Sequence, residues 1–338
     1  VRDLIMAVLG AAAGGGGGQL PTISFMTSQA WTPSYNLTAY VYVIGGGGAG
    51  GSTNNSVGGA CGGGAGGCSV SKLDLSSGTT YTITIGAGGG SASASSANVN
   101  GNTGGNTSFA GSGISTMTGN GGAGGVTRAS NDSTQSAGAA GGTATGGTLG
   151  NFTGGKGAAI TAAVNSTAYI MGGGGAVGLW ATGNDAPDAH SNYGYSCIGG
   201  MVNVEKGDIN PAYFWNRASD NGADNHEFTG YPTVEAFTGV LTTEVVYQGS
   251  LTTDYDHTFE KRTGAMDAKG SGFLRDSKLW GGMSAPFQGG NGMSGANGYG
   301  QRGCAGSGGG GSYMYSSATY GGAGGNGLVL IFPTSIGD

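Results

Sequence analysis

The chain has 338 residues, a formal net charge of −6 and only 9% charged residues. Its 12 Lys and Arg form no basic stripe, which excludes the electrostatic footprint of a nucleic-acid-binding protein. Leu, Ile, Val and Phe make up under a fifth of the chain, whereas 80 residues are glycine. That is thin for an oily core and invites disorder as the alternative. Disordered chains usually carry high charge, however, and here the apolar residues are grouped into strand-sized runs.

Residues 4–13 (LIMAVLGAAA) form the first apolar run. It is too short to span a bilayer, which takes about 20 apolar residues. Arg2 precedes it and small residues follow, as in a signal peptide, but Asp3 is wrong for a positive leader. Residues 1–30 are therefore assigned to an N-terminal docking segment, with a frayed leader as the alternative.

Residues 39–44 (AYVYVI) read as a strand running directly into 45–51 (GGGGAGG). Residues 68–75 (CSVSKLDL) follow, then a turn at 76–78. Residues 79–85 (TTYTITI) alternate, are β-branched, and predict a strand that enters the glycines of 86–90. Further glycine phrases stand at 101–105, 121–125, 141–147, 154–157 and 172–175. Residues 181–280 differ: they hold 12 of the 80 glycines but 14 of the 18 acids and all three histidines. This is ordinary composition, inserted between two glycine-rich blocks, with strand-like phrases at 201–204 and 240–247. The second block ends in residues 328–332 (LVLIF), a last strand. The phrases vary in length, so the chain is not a fixed-period solenoid. The domain reading is a docking segment 1–30, a glycine-rich domain of 31–180 with 281–338, and an inserted β-rich or irregular region 181–280.

Glycine offers its own way to hold a chain together. An extended helix of three residues per turn makes no internal hydrogen bonds, so its N–H and C=O groups point outward. Packed side by side, such helices satisfy one another. Ordering each residue costs roughly 1–2 kcal/mol, so many lateral bonds are needed to offset it. Collagen uses a related helix but needs a strict Gly-X-Y period and much proline; here the period is irregular and there are 7 prolines. The expected fold is mainly β or irregular, with packed polyglycine II helices flanked by short β-strands and interrupted by the less glycine-rich insert. Gly45, Gly47, Gly50, Gly86, Gly88, Gly172, Gly324 and Gly325 are the positions expected to need the absence of a side chain.

Few residues suggest chemistry. Gly45, Gly47 and Gly50 satisfy G-x-G-x-x-G after a strand, but residues 52–59 (STNNSVGG) carry no apolar helical face to receive a pyrophosphate. No phosphate loop occurs, so no cofactor is expected. Cys61 and Cys68 flank six residues, which leaves a local disulfide and a pair of small buried thiols as alternatives. Asp220, Asp224, His226, Glu227, Asp254, Asp256, His257 and Glu260 are read as solvated loop charge, not as a metal site or a sugar-cleaving acid pair. Aromatic residues crowd the insert beside Asn and Asp. Most are expected in its own small core, with Trp215, Tyr231 and Tyr255 as exposed contacts for a glycan or protein surface.

Residues 31–33 (WTP), 39–51 (AYVYVIGGGGAGG), 80–90 (TYTITIGAGGG), 101–109 (GNTGGNTSF), 119–125 (GNGGAGG) and 321–332 (GGAGGNGLVLIF), in this order, resemble the glycine-rich domain of bacteriophage tail-fibre and tail-tip proteins. The resemblance covers the chain after about residue 30, apart from the insert. It implies packed polyglycine II helices bracketed by strands. It also implies a non-enzymatic virion protein: a tip adhesin displaying variable loops to a host-surface glycan or protein. Residues 1–30 would then dock on other virion proteins, and multivalency favours a homotrimer. One long insert here replaces the several variable segments of tip adhesins, which keeps open a structural decoration, cement or head-fibre role and, behind it, a polysaccharide-degrading tailspike. Receptor tyrosine kinases of one animal group carry a similar module, but no transmembrane span or kinase follows it here.

Overall fold

The computed structural model describes residues 20, 22–53, 58–94, 98–128, 137–160, 169–171, 174–179, 181–186, 273–275, 278–280, 287, 289–290, 293–294, 300, 302–313 and 319–337. Among them there is no helix. Ten strands build two antiparallel sheets: β1 (Ile23–Phe25), β2 (Gln29–Trp31), β3 (Asn36–Ile44), β4 (Cys68–Leu75), β5 (Tyr81–Thr84), β6 (Thr107–Gly111), β7 (Met117–Gly119), β8 (Ala144–Thr145), β9 (Gly150–Phe152) and β10 (Leu328–Gly337). One sheet has the order β1-β10-β3-β4-β9 and the other β8-β7-β6-β5-β2.

The strand sequences explain why the sheets stack. Leu37, Ala39, Val41 and Val43 of β3, Leu75 of β4, and Val329 and Ile331 of β10 alternate onto one face. There they meet Tyr81 and Ile83 of β5, Phe109 of β6 and Met117 of β7 from the second sheet. Tyr81 stacks on Phe109 with ring centroids 5.3 Å apart, and Trp31 and Phe25 extend the aromatic row. The intervening residues Tyr42, Ile44, Cys68, Val70, Leu328 and Leu330 turn to the opposite face and bury against Ala65, Val177, Leu179 and Phe287. The central sheet is thus covered on both sides. That is why β3 and β10 read as continuous apolar runs instead of alternating ones. β10 pairs with β3 from Leu328↔Ile44 to Gly337↔Asn36, with a bulge between Pro333 and Ser335 where proline cannot donate.

The strands do not end in hairpins at the top of this sandwich. β3 runs on as 45–51, and the chain returns as 61–67 into β4; β3 and β4 pair from Ile44↔Cys68 downward, while Gly45, Gly48 and Gly51 donate to the carbonyls of Gly67, Gly64 and Cys61 above. β5 leaves through 86–90 and returns through 101–106 into β6. β7 leaves through 120–126 and returns through 138–143 into β8. β9 leaves through 153–158, and 174–179 comes back to bury Val177 and Leu179 under the sheet. Residues 307–311 go out and 321–327 return into β10.

Segment 45–51 stands at the centre of this bundle. Its amides turn through three directions in succession: Gly45, Gly48 and Gly51 to segment 61–67; Gly46 and Ala49 to Gly105 and Asn102; Gly47 and Gly50 to Gly325 and Gly322. Its carbonyls receive Gly122 and Gly125, Gly89, and Gly309 from three further segments. Six neighbours therefore surround it. Segment 61–67 is enclosed in the same way: Gly64 and Gly67 donate to 120–126, Gly63 and Gly66 to 306–309, and Ala65 to Gly155, while its carbonyls accept from 45–51, Gly142 and Gly175.

Glycine is required here for what it lacks, not for its backbone freedom. Among the described glycines only Gly78, Gly113, Gly146 and Gly306 adopt positive φ. Gly306 (φ 71°) turns the chain at 304–307, under the side chains of Ile44 and Val177. In the straight segments, a Cβ placed on Gly48 or Gly63 would fall on the backbone carbonyl of Ala123 or Gly48 respectively.

The structure moves several sequence-based boundaries. The all-strand, irregular class holds. At the end of the segment 1–30, residues 23–25 and 29–31 form edge strands β1 and β2, paired with β10 and β5; residues 1–19 and 21 lie outside the described residues. Residues 181–186 belong to the bundle, where Gly183 donates to Thr153 O and Ala186 to Lys156 O. Of the rest of the insert, Phe273–Arg275 and Lys278–Trp280 form a two-stranded antiparallel pair, and 187–272, with the strand phrases at 201–204 and 240–247, lie outside the described residues.

The loop-bearing end of the bundle as candidate functional site

Every out-and-back excursion turns at the end remote from the sandwich. The residues flanking 54–57, 95–97, 129–136, 161–168 and 314–318 all stand there, tied together by short strand pairs. Ser52–Thr53 pairs in parallel with Ser312–Tyr313, which pairs in parallel with Met293–Ser294. Gly58–Ala60 lies between Thr127–Arg128 and Tyr169–Met171. Thr319–Tyr320 pairs with Ser93–Ala94.

Where the glycines stop, hydroxyls begin. Ser52, Thr53, Ser312 and Thr319 are fully buried. The Ser52 and Thr319 hydroxyls bond to each other, and Ser312 Oγ donates to Ser52 Oγ at 3.3 Å. Thr53 Oγ1 donates to Asn98 Oδ1, and Asn98 Nδ2 donates to the carbonyl of Arg128 at 2.7 Å. Ser52 also exchanges both backbone bonds with Val99 at 2.9 Å. Side chains have room here only because backbones diverge, and each buried hydroxyl needs a partner. The result is a polar plug that fixes the spacing of four of the five loop bases, the fifth being held by the pairing of Tyr169–Met171 with Gly58–Ala60.

The plug is a positioning device, since its groups are engaged with one another. No group of three His, Cys, Asp or Glu residues able to hold a metal occurs among the described residues. The groups with raised pKa belong to the opposite end. Burial pushes the Cys68 thiol far above its usual range. Burial, then the neighbouring Cys68 and Tyr40, do the same to the Tyr42 phenol. No helix among the described residues is long and apolar enough to cross a membrane.

The expected structural glycines fall as follows. A Cβ on Gly45, Gly47, Gly50, Gly86, Gly88, Gly324 or Gly325 would meet the carbonyl of Asn120, Ser307, Gly310, Gly105, Gly324, Gly47 or Cys304 respectively; Gly172 lies outside the described residues. The alternative of a Cys61–Cys68 disulfide is corrected: both are buried thiols. The straight segment between them sets Cys61 level with Gly51 and Cys68 level with Ile44, at opposite ends of 45–51. A bridge needs Cα atoms within about 7 Å. Trp215, Tyr231, Tyr255 and the acids and histidines of the insert lie outside the described residues.

Sequence reasoning passed over the plug residues. The available signal was a hydroxyl pair at the end of a glycine run, as at Ser52-Thr53 after 45–51 and at Ser312 after 307–311. No curated protein matches the sequence. The model of a family described as a glycine-rich domain matches residues 22–332, and the chain belongs to that glycine-rich domain family.

Proposed function

We propose that this chain is a bacteriophage virion fibre or tail-tip protein that binds a host-surface receptor without catalysing a reaction. The observation that carries the reading is topological: five loop bases converge on one end of a glycine bundle bonded through its main chain, and the sandwich occupies the other. The glycine segments act as polyglycine II helices. The amide directions repeat every third residue along 45–51 and 61–67, and each of these segments has six neighbours, which is the lateral packing such helices need. A lattice fixed by backbone bonds holds the loop ends in place whatever the loops contain, so the loops are left to vary with the receptor.

In this reading the 181–280 region and the five loops contact a host glycan or protein, with Trp215, Tyr231 and Tyr255 as aromatic contacts. Residues 1–30 dock on other virion proteins, and a trimer multiplies weak single contacts. Purified protein added to host cells should reduce adsorption of the phage that encodes it, in proportion to the sites occupied. Unchanged adsorption at concentrations that saturate the cell surface would sink the adhesin reading. A structural decoration role is the second reading, favoured by the engaged hydroxyls of the plug, which offer no reactive group.

A further inference from the structure

The bundle's lateral bonding has no inherent limit, since every extended glycine segment offers donors and acceptors all round. An outer segment therefore presents the same unsatisfied rows that an inner one uses to hold its neighbours. The outer rows of this bundle are handled in a consistent way. Gly121 N–H, which points along the row that inner segments fill with backbone carbonyls, donates instead to Asn106 Oδ1 at 2.9 Å. Six residues further, on the same row of the period-three repeat, Thr127 N–H donates to Asn100 Oδ1 at 2.9 Å. Asn100 and Asn106 are themselves six apart on the antiparallel segment, so they form one seam. Gly88 N–H donates to Asn326 Oδ1 at 2.9 Å and Lys156 N–H to Asp185 Oδ1 at 2.7 Å. The acceptor rows are treated alike: Asn102 Nδ2 donates to Gly90 O at 2.9 Å. All five side chains are exposed.

We propose that Asn100, Asn102, Asn106, Asn326 and Asp185 are edge stops: each closes an outer backbone group that would otherwise bond laterally to a glycine segment from a second copy of this chain. A short side-chain carboxamide or carboxylate reproduces the acceptor of a neighbouring backbone while occupying the place where that backbone would lie. The partner that would fit this face without its stops is fixed by its chemistry. It must be an extended chain without Cβ atoms, since a side chain would strike the carbonyls as it does inside the bundle. The stops do for packed glycine segments what charges and bulges do for sheet edges. The inference does not depend on receptor binding.

The test is sedimentation velocity on the full chain carrying Asn100→Ala, Asn106→Ala and Asn326→Ala. The expected result is concentration-dependent growth to integer multiples of the wild-type species, reversed in the Asn→Asp version of the same triple variant, which keeps the acceptor oxygen. A folded alanine variant with the wild-type distribution overturns the proposal. Hydrogen exchange on the wild-type protein decides the case if the variant fails to fold. Gly88, Gly121 and Thr127 amides should exchange as slowly as Gly122 and Gly125. Exchange at the rate of open surface amides would show that the side chains do not hold them, and would equally overturn the proposal.

Discussion

At the scale of single residues, the same substitution has opposite meanings along this chain. A methyl group on Gly47 would land on the Ser307 carbonyl, with the next carbons and nitrogens of that backbone behind it. Backbone on both sides is bonded to other segments and has nowhere to move. Gly90 meets nothing nearer than Asn102 Nδ2 at 3.8 Å. Gly47→Ala should cost 3 kcal/mol or more, at or beyond the upper end of the ~1–3 kcal/mol seen for overpacked cores. Gly90→Ala should be neutral or stabilise by about 0.4–1 kcal/mol, because it restricts only the unfolded chain. Urea unfolding midpoints of the two variants measure both. The Cys68 thiol gives a pH signature at the same scale. Its folded pKa is raised by burial, so below about pH 8.5 both folded and unfolded chains hold the proton and its contribution is complete. Above that, the unfolded chain releases the proton first. Stability should then fall by about 1.4 kcal/mol per pH unit from this group, with the Tyr42 phenol joining from about pH 10. Unfolding midpoints between pH 8 and 10 should slope less steeply in Cys68→Ala by one proton's worth. An unchanged slope would mean that the thiol is not kept neutral by the fold.

At the scale of elements, legibility followed the length of the apolar run. β3, β5 and β10 were visible because each carries four or more β-branched or aromatic residues. Their ends drifted for physical reasons. β10 continues past Pro333 by means of a bulge, and β5 is shorter than its Thr-rich sequence because Thr79 and Thr80 belong to the approach to the strand. β1 and β2 have three residues each and owe their strand state to partners about 300 and about 50 residues away along the chain, respectively, which local pattern does not reveal. The sandwich itself was hidden for the same reason: its core joins residues 25 to 331, and the low overall apolar content diluted a cluster that is dense where it occurs. That cluster makes a definite claim. Phe109 is fully buried, stacked on Tyr81, and lies between the sheets. Phe109→Ala should cost about 3–5 kcal/mol. Leu149→Ala, at an exposed position in the β8–β9 turn, should stay within about 0.5 kcal/mol. Thermal unfolding of the pair separates an oily load-carrying sandwich from a scaffold held by glycine bonds alone.

At the scale of the whole molecule, two kinds of order share one chain. The sandwich is held by side chains and would tolerate other side chains of similar volume. The bundle is held by main-chain bonds and tolerates almost none, yet it is indifferent to what joins its segments at the far end. The order of tolerance should therefore invert the usual expectation that more altered residues do more harm. Replacing all of 129–136 by a glycine and serine linker of equal length leaves Thr127–Arg128 paired with Gly58–Ala60 and keeps every lattice bond between described residues. Its effect on the unfolding midpoint should stay within about 0.5 kcal/mol, as for substitutions away from packed or bonded groups. Deleting Gly64 alone should abolish cooperative folding. The deletion rotates every residue between that point and Cys61, or between it and Cys68, by one step of the three-way repeat. It also brings Ala65 to a position where a Cβ meets the Ala140 carbonyl. Amides that had faced 120–126 would then face other segments with no acceptor at the right height. Circular dichroism and urea unfolding of the two proteins side by side give the comparison. Equal stability of the two would mean that phase along the segments is not what holds the bundle, and the loops would then lose the fixed platform on which the receptor-binding proposal rests.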